Sequence, residues 1–286
     1  MRTKNILITA SIAASIALIA TGCAGSTPAA TDDSTGAAGA PATITTVKVG
    51  ATAPADEILQ YAQDSGQAEK AGIKIEVTPF TDYTTPNTSL ADGSTDANLY
   101  QHLPFLTKFN SENGTDIVPV GKVYFPALAL YSTKIDSIDD LKDGDTISVP
   151  SDPTNELRSF KLLEAAGLIT VKEGATEGVL SDIAENPRNF VFQELDAATL
   201  PRALDDNPAG IVNLTFALPA GLTADEQLFQ EDVDGTPYTN LLATNAGHEN
   251  DPGIKALYSV LTSTETQDWI TEYFKGLVTP ASGPAE

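Results

Sequence analysis

The alternation of apolar and polar positions predicts a strand, a helix and a second strand near the start of the folded region. Residues 46–50 (TVKVG) form an apolar strand pattern that ends at a glycine. Pro54 then opens a segment whose apolar residues share one helical face, and Gly72 ends it. In residues 73–77 apolar positions alternate with charged ones, as in a half-buried strand. This β-α-β order favours a mostly parallel sheet.

The same pattern recurs in the second half of the chain. Residues 146–149 predict a strand, after which Asp152 is a plausible N-cap with Pro153 at the first helical position. Further strands are predicted at residues 189–193, 210–212 and 238–243, and a helical tail at residues 254–275. The chain therefore reads as two α/β units. Because ligands bind outside the carboxyl ends of strands in open α/β sheets, the natural site is the cleft between the units.

The first residues predict export from the cytoplasm. Arg2 and Lys4 precede an apolar run at residues 6–20, which is the pattern of a signal peptide. The alternative is a transmembrane anchor, but a span needs about 20 apolar residues and this run is shorter. Cys23, the only cysteine, directly follows Gly22 and resembles the lipidated cysteine of bacterial lipoproteins. The alternative is a chance cysteine in an ordinary secreted protein.

These patterns divide the chain into four predicted parts. Residues 1–22 are the signal peptide, and residues 23–45 are the lipidated cysteine and a flexible tether rich in small residues. Lobe 1 is predicted to comprise residues 46–128 and 237–280, and lobe 2 residues 129–236. The formal net charge is −23, and loss of the signal peptide would make it two charges more negative. Such a charge excludes nucleic acid and anionic lipid surfaces as partners.

The residues that enzymes need are missing from the sequence. It has no Gly-x-Ser-x-Gly motif, no phosphate-binding glycine loop and no zinc-type spacing of histidine and cysteine. Its two histidines, His102 and His248, are far apart in the sequence. A single cysteine also excludes an internal disulfide. We therefore predict no catalytic residue, no cofactor and no metal.

Several segments spread over residues 46–275 together resemble the methionine-binding NlpA lipoproteins, the substrate-binding components of methionine ABC importers. The matching segments are residues 80–83 (FTDY), 96–98 (DAN), 149–155 (VPSDPTN), 185–187 (ENP), 200–206 (LPRALDD) and 237–241 (PYTNL). The resemblance implies an α/β protein of the two-lobed periplasmic-binding type (type II-like), with the ligand in the interlobe cleft. It also implies a lipid-anchored, extracytoplasmic and monomeric protein that delivers its ligand to an ABC permease.

The resemblance further implies roles for particular residues. Arg158 would hold the ligand carboxylate, from the first turn of its helix. Asn213 and Asn240 would bind the amino and carboxyl groups. The side-chain pocket would be walled by Tyr83, Tyr100, His102 and Tyr124. These residue types suit a methionine zwitterion, since arginine matches a carboxylate, a helix N-terminus adds backbone donors, and aromatic rings bury a thioether.

Each of these residues also has a structural interpretation. Arg158 could form a weak surface ion pair, His102 could bond the backbone at a helix start, and the asparagines could close turns. The tyrosines could belong to the core. Other ligands are open as well: the other stereoisomer of methionine, its sulfoxide, a short methionine-containing peptide, or another small amino-acid-like compound. A surface interaction lipoprotein without transport and an extracellular enzyme are the remaining classes.

Overall fold

The computed structural model describes residues 44–176, 178–233 and 236–285, so the predicted signal peptide and Cys23 lie outside the described residues. The strands are β1 (Thr45–Ala51), β2 (Ile73–Pro79), β3 (Ala97–His102), β4 (Ile117–Pro126), β5 (Ala129–Tyr131), β6 (Thr146–Pro150), β7 (Thr170–Val171), β8 (Ile183–Glu185), β9 (Val191–Leu195), β10 (Ala209–Val212), β11 (Gln227–Gln230), β12 (Asn240–Asn245) and β13 (Val278–Pro280). The α-helices are α1 (Ala55–Asp64), α2 (Gln67–Lys70), α3 (Thr85–Ala91), α4 (Leu103–Asn113), α5 (Pro153–Ala165), α6 (Leu200–Ala203), α7 (Leu214–Ala217), α8 (Pro252–Leu261) and α9 (Thr264–Phe274).

The strands of lobe 1 form a six-stranded sheet in the order β13-β4-β12-β3-β1-β2. Strand β1 pairs in parallel with β2 and β3, whereas β12 pairs antiparallel with β3 and β4. The prediction of a mostly parallel sheet is therefore wrong for the half of this sheet beyond β3. Strand β12 belongs to the C-terminal part of the chain, and no β-α-β pattern in the sequence predicts its position in this sheet.

The strands of lobe 2 form a five-stranded sheet in the order β11-β5-β10-β6-β9. Strand β6 pairs in parallel with β9 and β10, and the predicted β-α-β rhythm is confirmed there. At the other edge, β5 pairs antiparallel with β10 and β11. The chain thus passes between the sheets twice, once between β4 and β5 and again between β11 and β12.

Each sheet packs its apolar residues into its own core, but one short helix joins the two lobes. Helix α7 follows β10 of lobe 2, yet Leu214 is buried in the lobe 1 core and Leu218 packs against it. The lobes are therefore in direct apolar contact next to the end of β10. That contact places Asn213, the residue before α7, at the junction of the lobes.

Local signals in the sequence account for several helix ends. Asp152 accepts a hydrogen bond from the backbone N–H of Asn155 at 3.0 Å, so the predicted N-cap is confirmed. The predicted helical tail is divided into α8 and α9, because Ser263 accepts from the Thr266 N–H and starts a new helix. Among the described residues, no helix is long and apolar enough to cross a membrane.

Candidate functional site

A cavity of about 360 Å³, partly open to solvent, lies where the two lobes meet. Lobe 1 contributes residues from β3, α4 and the start of β12, together with Tyr83, which precedes α3. Lobe 2 contributes residues from α5, from the start of α7 and from the position before α7. Its lining consists of Tyr83, Tyr100, Gln101, His102, Phe105, Pro126, Leu128, Asn155, Arg158, Asn213, Leu214, Thr215 and Asn240. A partly enclosed cavity lined by apolar and aromatic side chains with a few polar groups is typical of a small-molecule site.

The start of helix α5 brings two polar side chains to the cavity. Asp152 caps the helix, which fixes Asn155 in its first turn and Arg158 one turn further on. The prediction that Arg158 lies in the first turn is therefore wrong, because the helix starts at Pro153 as predicted and Arg158 is its sixth residue. The helix-end backbone donors are also unavailable to a ligand, since the Asp152 carboxylate accepts from the Asn155 N–H.

The Arg158 guanidinium is buried, with 2% of the residue exposed. Its Nε donates to both carboxylate oxygens of Glu231, at 3.1 and 3.0 Å, and its Nη2 donates to Glu231 Oε2 at 2.5 Å and to the Pro126 carbonyl oxygen at 2.9 Å. The ring of Tyr238 lies 4.7 Å below the guanidinium carbon. Nη1 donates to no acceptor among the described residues. The arginine therefore offers a ligand one nitrogen and not the full fork that the sequence suggested.

Asn155, Asn213 and His102 form a hydrogen-bonded group across the cleft. The Asn155 amide nitrogen donates to both oxygens of Asp152, at 3.0 and 2.9 Å, which fixes the orientation of the amide. Asn155 Oδ1 then accepts from Asn213 Nδ2 at 2.9 Å. Asn213 Oδ1 is buried and has no hydrogen-bond partner among the residues that the structure describes. A buried carbonyl oxygen without a donor is costly, so it favours a ligand that supplies one.

His102 caps helix α4 and faces the same group. Its Nδ1 accepts from the Phe105 N–H at 3.2 Å, which leaves the proton on Nε2, 3.4 Å from Asn155 Oδ1. Burial, and next the positive charge of Arg158, lower the pKa of His102 to about 3. The imidazole is therefore neutral at physiological pH. Both interpretations of the sequence apply, since His102 bonds the backbone and also lines the cavity.

An aromatic cluster forms the rest of the cavity wall. The Tyr83 ring lies 6.0 Å from Tyr100, 5.8 Å from Phe105 and 4.9 Å from Phe216, between ring centroids. The Tyr100 hydroxyl donates to the Tyr83 carbonyl oxygen at 3.0 Å. Burial raises the pKa of both tyrosines, so both hydroxyls stay protonated. Phe216 belongs to lobe 2, so this cluster also closes the cleft.

Tyr124 does not line the cavity, contrary to the role carried over from the resemblance. It is fully buried in the lobe 1 core, and its hydroxyl accepts from Asn240 Nδ2 at 2.9 Å. The same nitrogen donates to the Tyr100 carbonyl oxygen at 2.9 Å. Both hydrogens of the Asn240 amide are thus used within lobe 1. Asn240 reaches the cavity, but its NH₂ group has no hydrogen left for a ligand carboxylate.

Buried carboxyl groups support lobe 2 behind the cavity. Burial raises the pKa of Asp152, and hydrogen bonds from Asn155 and Thr154 oppose that rise. Burial, and next the neighbouring Glu194, raise the pKa of Glu156 to about 8. Glu156 therefore carries its proton at neutral pH. The net charge of lobe 2 behind the cavity is therefore less negative than its number of acidic residues suggests.

The structure brings six of the predicted residues to one cavity: Tyr83, Tyr100, His102, Arg158, Asn213 and Asn240. Asn155 was part of a recognised segment but had no predicted role. Its position three residues before Arg158 puts both side chains on one helix face, and that spacing could have identified it. Nothing in the sequence marks Glu231, which reaches Arg158 from a distant segment.

Similarity to known proteins identifies the family of this chain. The sequence profile described as NlpA lipoprotein matches residues 47–282. The chain belongs to the NlpA lipoprotein family. The predicted family is thereby confirmed. A curated relative, the D-methionine-binding lipoprotein MetQ of Salmonella typhi, is 38% identical to this NlpA lipoprotein over 234 residues, which are 80% of this chain and 86% of the relative.

Solved structures of similar proteins identify the fold of this NlpA lipoprotein. A nutrient-binding protein from Burkholderia cenocepacia, solved bound to methionine, has a TM-score of 0.78 at 38% identity and covers 82% of this chain and 99% of its own. A periplasmic substrate-binding protein of an ABC transporter from Coxiella burnetii has a TM-score of 0.77 at 39% identity, covering 82% and 100%. The predicted two-lobed periplasmic-binding fold is confirmed.

Proposed function

We propose that this NlpA lipoprotein is the extracytoplasmic solute-binding protein of an ABC importer and that it carries methionine, or a close relative of methionine, between its lobes. Its relatives include proteins named for methionine binding and for ABC transport. The protein would bind and release its ligand unchanged, in keeping with the substrate-binding proteins among its relatives. A monomer suffices for this role.

One observation supports the ligand class above all others. A single interlobe cavity contains the Arg158 guanidinium, the unpartnered Asn213 Oδ1 and an aromatic cluster. A free amino acid has a carboxylate, an ammonium and a side chain, and these three groups are complementary to the three features. Arg158 Nη1 would bind the carboxylate, Asn213 Oδ1 and Asn240 would accept from the ammonium, and Tyr83, Tyr100 and His102 would surround the side chain.

The remaining parts of the chain fit this role. We propose that the lipid on Cys23 holds the protein at the outer face of the membrane and that residues 24–44 act as the tether, which ends one residue earlier than predicted because Thr45 belongs to strand β1. Residues 46–128 with 237–280 would move as one lobe and residues 129–236 as the other. Closure on the ligand would produce the form that docks on the permease.

Mass spectrometry of small molecules released by denaturing the purified domain tests the ligand directly, followed by calorimetry with ligand-free protein. We expect L-methionine or D-methionine to be released and to rebind with a 1:1 stoichiometry. Methionine sulfoxide and a methionine-containing dipeptide are the competing ligands in the same titration. Absence of binding for all four compounds would contradict the proposal and favour a surface interaction protein.

The anchor has an independent test. Replacing Cys23 by Ser in the full chain should move the protein from the membrane fraction to the soluble fraction, because no acyl chain can be attached. Replacement of Ser26, close by in the same segment, by Ala is the control. An unchanged membrane fraction for the Cys23 variant would disprove lipid anchoring.

A further inference from the structure

Glu231 had no predicted role, yet its carboxylate binds Arg158 in the candidate site. Its carboxylate accepts three hydrogen bonds from the Arg158 guanidinium, through Nε and Nη2. The ion pair is largely buried, with 2% of the Arg158 side chain and 14% of the Glu231 side chain exposed. Burial makes such a pair depend strongly on its geometry, unlike an ion pair in water.

The same residue lies where the chain passes between the lobes. Glu231 directly follows β11, and its backbone N–H donates to the Leu128 carbonyl oxygen at 2.8 Å. The Leu128 N–H donates back to Glu231 Oε2 at 3.2 Å. Leu128 belongs to the other interlobe connection, and Arg158 Nη2 bonds the Pro126 carbonyl in that connection at 2.9 Å. Both connections and the arginine therefore meet at one carboxylate.

We infer that Glu231 is a positioning residue, which fixes Arg158 against both interlobe connections so that Nη1 alone faces the ligand carboxylate. This inference rests on the proposed function. The carboxylate holds the Nε and Nη2 edge, and the guanidinium plane cannot rotate without breaking these bonds. Glu231 also offsets part of the positive charge of Arg158.

Calorimetry with L-methionine on purified variants of the whole domain tests the inference. Glu231→Gln keeps the size of the side chain but replaces one acceptor oxygen by an NH₂ group that repels the guanidinium. We expect its affinity to fall about tenfold or more, and Glu231→Asp, which keeps the carboxylate, to recover part of the loss. Glu112→Gln removes an exposed carboxylate and is the control, with a change below about twofold.

The variant Arg158→Ala separates positioning from a general loss of stability. If Glu231 acts through Arg158, adding Glu231→Gln to Arg158→Ala changes affinity by less than about twofold. Additive losses, or a wild-type affinity in folded Glu231→Gln, would overturn the inference. Should Glu231→Gln fail to fold, Glu231→Asp alone and in the Arg158→Ala background gives the same comparison. A wild-type protein that binds no methionine would instead overturn the proposed function.

Discussion

The two walls of the interlobe cavity are built on different physical principles. On the lobe 2 side, Asn155, Arg158 and Asn213 are held by hydrogen bonds to buried carboxylates and to one another. On the lobe 1 side, Tyr83 and Phe105 are held by ring packing. A hydrogen-bonded wall has one correct orientation for each group, whereas packed rings tolerate small shifts.

The difference between the two walls has a consequence for how each part of a ligand would be bound. Under the proposed function, the polar wall would bind the carboxylate and the ammonium that all amino acids share. The aromatic wall would surround the variable side chain, and burial of a methionine-sized side chain there would contribute about 1.5–3 kcal/mol. We therefore expect substitutions of the polar lobe 2 residues to weaken binding of every amino acid ligand, and substitutions of the aromatic residues to change selectivity. The following predictions assume the proposed ligand.

Replacing Arg158 by Ala should have the largest effect. The ligand carboxylate loses its cationic partner, which costs about 2–5 kcal/mol, or about 30-fold or more in affinity for L-methionine. Calorimetry measures the change, and Arg202→Ala, an exposed arginine of the same lobe, is the control. A change below threefold in a folded Arg158 variant would remove this residue from the site.

The sequence predicted some residues of each wall and missed others, among them Asn155 of the lobe 2 wall. Arg158 and Asn213 lie near the ends of apolar strands, and the family resemblance gave them their roles. Tyrosine by itself does not indicate a ligand site, because it packs equally well in a core and in a pocket. The family resemblance implies the same role for Tyr100 and Tyr124, yet the structure buries Tyr124 in the core behind Asn240.

The fold was predictable where neighbours in the sheet are also neighbours in sequence. The β1-α1-β2 unit and the capped start of α5 follow from local patterns. Strand β12 was predicted as a strand, but its antiparallel position between β3 and β4 depends on contacts across most of the chain. Glu231 was missed for the same reason, since its partner Arg158 is distant in sequence.

Asn213→Ala should have the next largest effect. It removes the unpartnered Oδ1 that we propose as the acceptor for the ligand ammonium, and a lost hydrogen bond to a charged group costs about 1.5–3 kcal/mol. We expect affinity to fall at least tenfold. Asn113→Ala, at an exposed asparagine of lobe 1, should leave affinity unchanged. Equal affinities for the two variants would contradict the assignment.

Leu218→Ala tests closure without touching the cavity lining. Leu218 follows α7 and packs against the lobe 1 core, so its truncation weakens the contact between the lobes. For a partly buried leucine we expect a loss of about 1 kcal/mol in closure, or about three- to fivefold in affinity. Small-angle scattering should show less ligand-induced compaction. The control is Leu180→Ala, at an exposed leucine of lobe 2; identical behaviour would exclude α7 from closure.

The pH dependence should be the smallest effect on binding. His102 has a pKa lowered to about 3, so it stays neutral between pH 5 and 7 and the affinity should change by less than about twofold. Protonation would add a charge beside Arg158 and remove the acceptor for the Phe105 N–H. A steep loss of affinity near pH 6 would therefore show that His102 becomes protonated in the ligand-free protein.

The His102 imidazole should still make the free energy of unfolding depend on pH, although the binding affinity should hardly change. Because the folded pKa lies below the ordinary value of 6.5, the stabilisation is present above pH 6.5 and is lost as the pH falls toward 3. Between pH 7 and 5 this loss should be on the order of 1–2 kcal/mol. Chemical denaturation of wild type and His102→Gln measures it. The wild type should lose more stability than the variant over that range, and parallel pH profiles would refute the neutral, buried imidazole.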